Sequence, residues 1–382
     1  MTVAPMPALR TQICAPNPDG LLLEVLPADE GDCLLLTCRR GADVHHVLID
    51  GGTPATAPRL AGRLAEIPGG RVELLVVTHV DADHIGGIVR LLDDPAFALE
   101  IGEVWFNGYR HLPGHAPRPR GFRDGEGLVD ILTGGEGGRV LPWNEAFGGA
   151  AAMREDGEGF TLPEVQFNWG LRLTLLSPTP ERLGALGRDW QKYLDALHRA
   201  EHSAQTPQPR VPRARGEDLE AMAMTPSRDD SAKPNGSSIA LLAEFGGRSA
   251  VLAGDAFPDV LAAALSRLAE LRGHGVDVPL PVDVFKLPHH GSQANVTLPL
   301  LAAVKAEHYV FSTSGARFRH PDQAAVARVI TRGGPDHTLW FNYANTRTRR
   351  WDKAEWKASH AYRTRYPEQA GRGVTLFLPA KD

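Results

Sequence analysis

The sequence has few cysteines and no long apolar run. Three cysteines in 382 residues, Cys14, Cys33 and Cys38, are an odd and sparse set without the spacing of a metal site. This usage excludes a disulfide-stapled scaffold and is typical of reduced thiols. No apolar run approaches the roughly 20 residues that a membrane span requires. The first residues also lack the charged start and apolar stretch of a secretory signal. We therefore expect a cytoplasmic protein that does not cross a membrane.

A strong charge of one sign and the usual nucleophile and nucleotide motifs are also missing. The formal net charge of −5 gives no global argument for a nucleic-acid or membrane partner. The sequence has neither a Gly-x-Ser-x-Gly nucleophile elbow nor a phosphate-binding P-loop. Covalent serine catalysis and nucleotide-driven work are therefore not expected. The chain is nevertheless long enough to bury a large core, as one elaborated domain or two small ones.

The chain does carry a dense run of potential metal ligands. In LLVVTHVDADHIGG, four ligands fall within six residues: His79, Asp81, Asp83 and His84. The apolar run before them, Leu74–Val77, is typical of a buried strand, so its end would direct nitrogen and oxygen ligands into one small volume. A polar turn followed by a helix is the alternative, but two acids and two imidazoles against an apolar strand are costly without a partner. The pattern predicts a site for one or two divalent cations.

Strand and helix patterns alternate along most of the chain. Short strands separated by turn residues open it, and amphipathic helices alternate with strands in its second half. We predict an N-terminal extension over 1–20, a main domain over 21–345, and a basic and aromatic C-terminal extension with a final strand over 346–382. Composition rich in glycine, proline and polar residues predicts loop-rich insertions at about 110–165 and 203–234.

The ligand run resembles the signature of the metallo-β-lactamase fold, whose usual form is His-x-His-x-Asp-His. Asp81 stands here where the second histidine is usual, as in the subgroup resembling the soluble hydrolase domain of the competence protein ComEC. Further motifs of that subgroup follow in order: Gly31-Asp32, VLIDGG with Asp50, NGSSIALL, VLAGDA with Asp255, and KLPHHGS. The resemblance implies an α/β (α+β) fold, a four-layer αββα sandwich in which helices cover two packed sheets. Because no membrane channel is present, a role in DNA uptake is not carried over.

The resemblance also implies a site with two divalent metal ions. Carried over residue by residue, His79 and Asp81 would bind the first ion, and Asp83 and His84 the second. Asp255 would bridge both ions, although an aspartate in a Gly-Asp turn is common in proteins. Asp83 and Asp255 thereby count among the catalytic residues.

The KLPHHGS motif supplies two further candidates. His290 is predicted as the remaining ligand of the second metal, and His289 as the residue that contacts substrate or protonates the leaving group. Adjacent residues on an extended chain point to opposite sides, so one of the two should ligate, and the reverse order stays open. Asp50 is expected to orient a ligand. His320, in a late His-Pro, is assigned a substrate-side role, with a surface loop as the alternative.

The usual site of this family has one more histidine, which the sequence does not show in the expected place. The candidates by position are His111, His115, His198 and His202, whereas the expected strand-turn carries Asn235-Gly236-Ser237-Ser238. Water would then complete the shell of the first metal. Asp81 makes that position richer in oxygen, which favours Mn²⁺ or Mg²⁺ more than an all-histidine zinc site does. We expect zinc or manganese, with magnesium or iron as alternatives.

The predicted chemistry is hydrolysis by a metal-activated water, acting on a phosphodiester as a phosphodiesterase or nuclease. Hydrolysis of a small acyl substrate (a lactone, thioester or β-lactam-like compound) and a metal-binding regulatory module without turnover are the alternatives. Residues 346–366 carry seven Lys or Arg against two acids, with four interleaved aromatic residues. Such a segment grips phosphates and stacks bases, or docks its aromatics on the core. Nucleic acid or a nucleotide is the expected substrate; no protein partner is predicted.

Overall fold

The computed structural model describes residues 18–112, 125–135, 140–188, 218–275 and 277–381. A six-stranded sheet contains β1 (Gly20–Val25), β2 (Leu34–Arg40), β3 (Asp43–Ile49), β4 (Arg71–Val76), β5 (Glu100–Trp105) and β14 (Val374–Pro379). An eight-stranded sheet contains β6 (Glu164–Gln166), β7 (Arg172–Ser177), β8 (Ala240–Phe245), β9 (Arg248–Leu252), β10 (Leu280–Lys286), β11 (Val304–Phe311), β12 (Thr338–Phe341) and β13 (Arg363–Arg365). The strand orders are β14-β1-β2-β3-β4-β5 and β13-β12-β11-β10-β9-β8-β7-β6.

Eleven α-helices occur in the described part of the chain. They are α1 (Ala57–Ala65), α2 (Ala82–Leu92), α3 (Gly125–Leu132), α4 (residues 180–188), α5 (Leu219–Ala223), α6 (Lys233–Gly236), α7 (Pro258–Leu271), α8 (Leu298–Ala303), α9 (Gln323–Arg332), α10 (Thr346–Arg349) and α11 (Ala354–His360). Parts of the predicted extension and insertions, namely 1–17, 113–124, 136–139 and 203–217, lie outside the described residues. Within the described part, no helix combines the length and apolarity needed to cross a bilayer.

The two sheets pack face to face, and helices cover their outer faces. In β4 and the residue after it, Leu74 and Val76 face the other sheet, whereas Leu75 and Val77 face the helical layer of α1 and α2. This alternation places both faces of the strand in apolar surroundings, which explains its unbroken apolar sequence. Helices α7, α8 and α9 cover the eight-stranded sheet. The predicted four-layer αββα sandwich is therefore confirmed.

The C-terminal segment is built into both sheets. Strand β14 pairs antiparallel with β1, and β13 pairs with β12. Trp351, Trp356 and Tyr362 are buried in the core beneath α7–α9, with 0%, 7% and 3% of their surface exposed. The docking of these aromatic side chains on the core agrees with the structural interpretation of the segment and removes them as a base-stacking surface.

Candidate metal centre

Loops that follow five strands meet at one edge of the sandwich. The loop after β1 brings Asp32, the end of β3 brings Asp50, and the loop after β4 leads into α2, whose first turn holds Asp83 and His84. These loops approach closely, since a Cβ on Gly31 would lie 1.6 Å from the carbonyl oxygen of Asp83. Asp255 follows β9, and two histidines follow β10 in the 3₁₀ turn Pro288–Gly291.

Asp255 lies at the middle of this edge and is 3% exposed. Its carboxylate oxygens lie 3.4 Å from Nε2 of His84, 3.5 Å from Nε2 of His290, 3.8 Å from Nε2 of His289 and 4.0 Å from Nε2 of His79. Asp81 lies 3.5 Å from Nε2 of His79, and Asp83 lies 3.7 Å from Nε2 of His290. The structure therefore brings together the residues predicted as metal ligands: His79, Asp81, Asp83, His84, Asp255 and His290.

In His84 and His290, the ring nitrogen that points away from Asp255, Nδ1, contacts an oxygen that can only accept a hydrogen bond. Nδ1 of His84 lies 2.7 Å from a carboxylate oxygen of Asp50, and Nδ1 of His290 lies 3.0 Å from the carbonyl oxygen of Ser312. Both Nδ1 atoms must donate, so a neutral ring leaves a lone pair on Nε2. These two Nε2 atoms face each other at 3.2 Å. Two facing lone pairs repel each other unless a cation lies between them.

The same reasoning applies to His79 through an intermediate hydroxyl. Thr78 Oγ1 donates to Asp50 at 2.7 Å, so towards Nδ1 of His79, 2.9 Å away, this hydroxyl accepts. Nε2 of His79 then carries a lone pair, and it is buried without a hydrogen-bond partner. Asp50 thus orients His84 directly and His79 through Thr78, which is the orienting role expected from the sequence.

The electrostatics of the centre favour positive charge. Burial by itself would lower the pKa of His290, but the carboxylates of Asp255 and Asp32 outweigh it and raise that pKa to about 10. Burial likewise opposes the carboxylates of Asp255 and Asp50, which raise the pKa of His84 well above its usual value. Burial would raise the pKa of Asp255, yet the imidazoles of His290 and His84 hold it far below its ordinary range. A cluster that holds protons this tightly attracts other cations in the same way.

A buried ion pair supports the centre from behind. Lys286 and Asp32 are 0% and 1% exposed and form an ion pair, and Nζ of Lys286 also donates to the carbonyl of Gly254, 3.3 Å away. Asp32 lies 3.4 Å from Nδ1 of His290. Sequence reasoning quoted both residues within motifs but gave neither a role. A lysine at the end of the apolar strand β10 is the signal that marks this pair.

The turn that carries His289 differs from the extended backbone assumed for it. The φ angles of His289 and His290 are +48° and +56°, in the left-handed region, so their side chains do not alternate as on a strand. Both Nε2 atoms approach Asp255 as a result. His289 is also held from outside, since its Nδ1 lies 2.9 Å from Oδ1 of Asn295 and 3.2 Å from Oδ2 of Asp230. Sequence reasoning missed both partners: Asn295, six residues further along the same segment, and Asp230, 59 residues earlier in the chain.

His320 lies on the open side of the centre. Its ring meets the ring of His289 edge to face, with centroids 5.4 Å apart, and its Nδ1 lies 3.4 Å from Asp322. The side chains of Asp81, Asp83 and His289 are 28%, 17% and 26% exposed, whereas those of His79 and His84 are 0% exposed. Substrate would therefore approach from the side of Asp81, Asp83 and His289.

The extra histidine of the family's usual site is not supplied by His111. Its Nδ1 accepts the backbone N–H of Gly108 at 3.1 Å, its Nε2 lies 3.2 Å from Nε of Arg110, and its ring packs on Trp143. His115, His198 and His202 lie outside the described residues. In the expected strand-turn, Ser238 Oγ accepts the backbone N–H of Asp255 at 3.0 Å.

The donor set of this centre fits divalent metal ions. Asp32, His84, Asp255 and His290 offer ligand atoms within 4.8 Å of one another. Separations of 3.2–3.5 Å, as between His84, His290 and Asp255, are those of neighbouring ligands about 2.0–2.2 Å from one zinc ion. Oδ1 of Asp255 and Nε2 of His79 are buried without hydrogen-bond partners. Asp32 contacts the outer nitrogen of His290, which favours an orienting role for it over direct ligation.

Two cavities differ in how they relate to this centre. One of about 490 Å³ surrounds the β8–β9 turn and is lined by ion-paired side chains such as Arg248 and Asp283. It lies at the start of β9, whereas Asp255 follows the end of that strand. The other, of about 270 Å³, is lined by Pro321, Arg347 and Arg350 among others. Its lining includes Pro321, the residue that follows His320 in the chain.

Comparison with known proteins identifies one family. The model of the metallo-beta-lactamase superfamily matches residues 29–315. The metallo-beta-lactamase fold protein YhfI from Bacillus subtilis aligns over 94% of this chain and 99% of its own, with 10% identity and a TM-score of 0.38. A diphosphatase from the PhnP family aligns over 93% and 97%, with 13% identity and a TM-score of 0.37. MIM-1 from Novosphingobium pentaromativorans aligns over 85% and 94%, with 15% identity and a TM-score of 0.30. No curated protein matches this sequence significantly.

Proposed function

The chain belongs to the metallo-β-lactamase superfamily of metal-dependent hydrolases, and we propose that it is a cytoplasmic phosphodiesterase or nuclease that uses two divalent metal ions. His79 and Asp81 would hold the first ion, Asp83, His84 and His290 would hold the second, and Asp255 would be shared by both. Zinc or manganese is the proposed metal, with magnesium or iron as alternatives. When bound, such ions supply Lewis acidity and a water of lowered pKa.

The observation that carries this proposal is the convergence of imidazole lone pairs on one buried carboxylate. Asp50, Thr78 and Ser312 fix a hydrogen of His84, His79 and His290 on Nδ1, so Nε2 of each neutral ring offers its lone pair on the side of Asp255. A centre prepared in this way costs little reorganisation when a cation binds. The four imidazoles and the acids around Asp255 require positive charge, and a metal centre supplies it.

The proposed substrate class follows from the surroundings of the open side. Arg347 and Arg350 line the cavity beside Pro321, and guanidinium groups match the oxygens of a phosphate. His320 precedes Pro321 in the chain and its ring contacts that of His289, so we propose that it contacts the substrate. The motifs NGSSIALL, VLAGDA and KLPHHGS, which resemble the hydrolase domain of ComEC, support the fold and the metal site more than the choice of substrate.

The test is a direct assay of the purified protein with Zn²⁺, Mn²⁺ or Mg²⁺. Single- and double-stranded DNA, RNA, cyclic nucleotides and bis(p-nitrophenyl) phosphate are offered as substrates. We expect metal-dependent cleavage that falls by more than about 100-fold in Asp255→Ala, beyond the loss typical of an outer partner. Asp283 is a buried aspartate of β10 that lies beside the start of β9. Asp283→Asn is the matched control and should keep full activity.

Other outcomes point to the alternatives. Activity confined to lactones or thioesters would indicate an acyl substrate and contradict the phosphodiesterase. Bound metal without turnover on any of these compounds would indicate a regulatory module. A chain that binds no divalent ion would refute the metal centre itself.

A further inference from the structure

We propose that His289 is a ligand of the first metal ion and takes the place of the histidine that is missing from the usual set. This inference rests on the metal centre proposed above, in which the first ion has only His79, Asp81 and the shared Asp255. The sequence alone assigned His289 to substrate or to the leaving group. The tertiary contacts of its ring support ligation instead.

The position of the Nε2 atom is the first reason. Nε2 of His289 lies 3.8 Å from Oδ2 of Asp255, and Nε2 of His79 lies 4.0 Å from the same oxygen. His84 and His290 already share another position, because their Nε2 atoms are 3.2 Å apart. Oδ2 of Asp255 thus has His79, His289 and His290 as neighbours, the last at 3.5 Å. His290 also lies against His84 and Asp83, which belong to the second ion. His289 is therefore the imidazole that we assign to the first ion.

The backbone of the turn makes this arrangement possible. On an extended chain, the rings of His289 and His290 would point to opposite sides. Both residues instead have left-handed φ angles, which are uncommon outside glycine and persist where surrounding contacts hold them. Here the N–H of His289 donates to the carbonyl of Gly254 at 3.0 Å, and the N–H of Ser292 donates to the carbonyl of His289 at 2.8 Å. These bonds hold the turn next to Asp255.

The outer contacts of the ring are the second reason. Nδ1 of His289 lies between two oxygen acceptors, Oδ1 of Asn295 and Oδ2 of Asp230, at 2.9 Å and 3.2 Å. A hydrogen on Nδ1 leaves the lone pair of a neutral ring on Nε2, as a metal ligand requires. Asp230 thus supports His289 as Asp50 supports His84.

The segment that lacks the usual histidine takes part in this support. Nδ2 of Asn235 donates to Oδ2 of Asp230 at 2.8 Å and lies 3.3 Å from Nδ1 of His289. At the position where the family usually has a histidine ligand, this chain has Asn235. Its side chain holds the carboxylate of Asp230, which in turn contacts Nδ1 of His289. The segment that lacks the usual histidine therefore helps to position His289, because both contact Asp230.

The experiment measures metal stoichiometry, which needs no substrate. Full-length protein is dialysed against buffered free Zn²⁺ or Mn²⁺, and bound metal is counted by elemental analysis. We expect two ions per chain in the wild type and one in His289→Ala. Asp230→Asn should weaken one of the two sites by about 10–100-fold, as typical for an outer partner of a ligand. His320→Ala, the neighbouring ring, is the control and should retain two ions.

A spectroscopic signature provides a second measurement on the wild type. In ¹⁵N spectra of histidine side chains, zinc addition should shift the Nε2 resonance that is absent from His289→Ala. Near-ultraviolet circular dichroism verifies that the variants are folded, and Asp230→Asn serves as the test if His289→Ala is not.

The result that overturns this proposal is His289→Ala with two ions bound at wild-type affinity, or a wild type that binds a single ion. A wild type without any bound metal would refute both this inference and the proposed function. Two bound ions without hydrolysis of any substrate would refute the phosphodiesterase and leave the ligand assignment standing.

Discussion

A buried aspartate lies near each end of β9, namely Asp283, which belongs to the neighbouring strand β10, and Asp255, which follows β9. The partners of these two acids differ in kind. At the start of the strand, Asp283 accepts hydrogen bonds from Arg248 and the N–H of Ser249, both at 2.8 Å, and pairs with Lys381 at 3.1 Å. After its end, Asp255 is surrounded by imidazole nitrogens, and its Oδ1 has no hydrogen-bond partner. The carboxylate of Asp283 has its charge and its hydrogen bonds satisfied by donors of the protein itself. An acid surrounded by lone pairs requires a cation from outside.

Two histidines show the same contrast. Burial lowers the pKa of His111 to about 4, and the charge of Arg110 acts in the same direction. Around His290, burial acts the same way, but Asp255 and Asp32 outweigh it and raise the pKa to about 10. The presence of a histidine therefore does not by itself indicate a metal ligand. The groups that face its ring nitrogens do indicate one. The following predictions test this contrast.

The largest expected effect concerns the ion pair behind the metal centre. Lys286→Met leaves Asp32 charged, buried and without its cation, which costs about 3–5 kcal/mol of unfolding free energy for a broken buried pair. Urea unfolding of the metal-free protein measures it. The double variant Lys286→Met/Asp32→Asn removes both charges and should recover part of the loss. A single variant as stable as the wild type would show that this pair does not support the centre.

A smaller effect, the stabilisation of the folded chain by bound metal, distinguishes Asp255 from Asp283. Because metal binds the folded chain, a free concentration 100 times the dissociation constant should raise the unfolding free energy by about 2.7 kcal/mol. Thermal unfolding with and without metal measures this increment. Asp255→Asn should abolish it. Asp283→Asn should lower stability in both conditions and leave the increment unchanged, so loss of the increment in this variant would erase the distinction between the two acids.

The smallest expected effect is the loss of stability at acid pH that is caused by His111, whose ring nitrogens are close to Gly108 and Arg110. The folded-state pKa of His111 lies below that of the unfolded chain, so the unfolded state binds more protons between pH 6.5 and pH 4. Stability is full above pH 6.5 and falls as the pH decreases, by about 2.5 kcal/mol down to pH 4.5. His111→Asn keeps an acceptor for Gly108 but does not titrate. Urea unfolding across this range should show a shallower acid slope in the variant than in the wild type, and equal slopes would contradict the assignment.

The sequence predicted the strands and the signature loop well because both depend on local pattern. The apolar run Leu74–Val77 lies in and just after β4, and α2 begins at Ala82, inside the run of ligands. Gly246 and Gly247 are two consecutive glycines between strand patterns, and they form the β8–β9 turn with φ angles of +55° and +70°. Each of these features is set by residues within a few positions of one another.

The parts of the site that sequence reasoning missed depend on distant loops. Asp230 reaches His289 across 59 residues, and Asp32 reaches Lys286 across 254. A single aspartate in a polar segment carries no local sign of such a partner. The direction of His289 was also misjudged, because an extended backbone was assumed where the turn is left-handed.

By itself, the sequence determined the layered α/β fold and the identity of the chemical groups, because apolar periodicity and ligand spacing are properties of neighbouring residues. Only the tertiary structure decided which ring nitrogens face Asp255 and which residues hold them there. The physical reason is that an imidazole presents a lone pair on one side only when an acceptor fixes the hydrogen on the other. Those acceptors, from Asp50 to Asp230, come from separate loops that meet only in the folded chain.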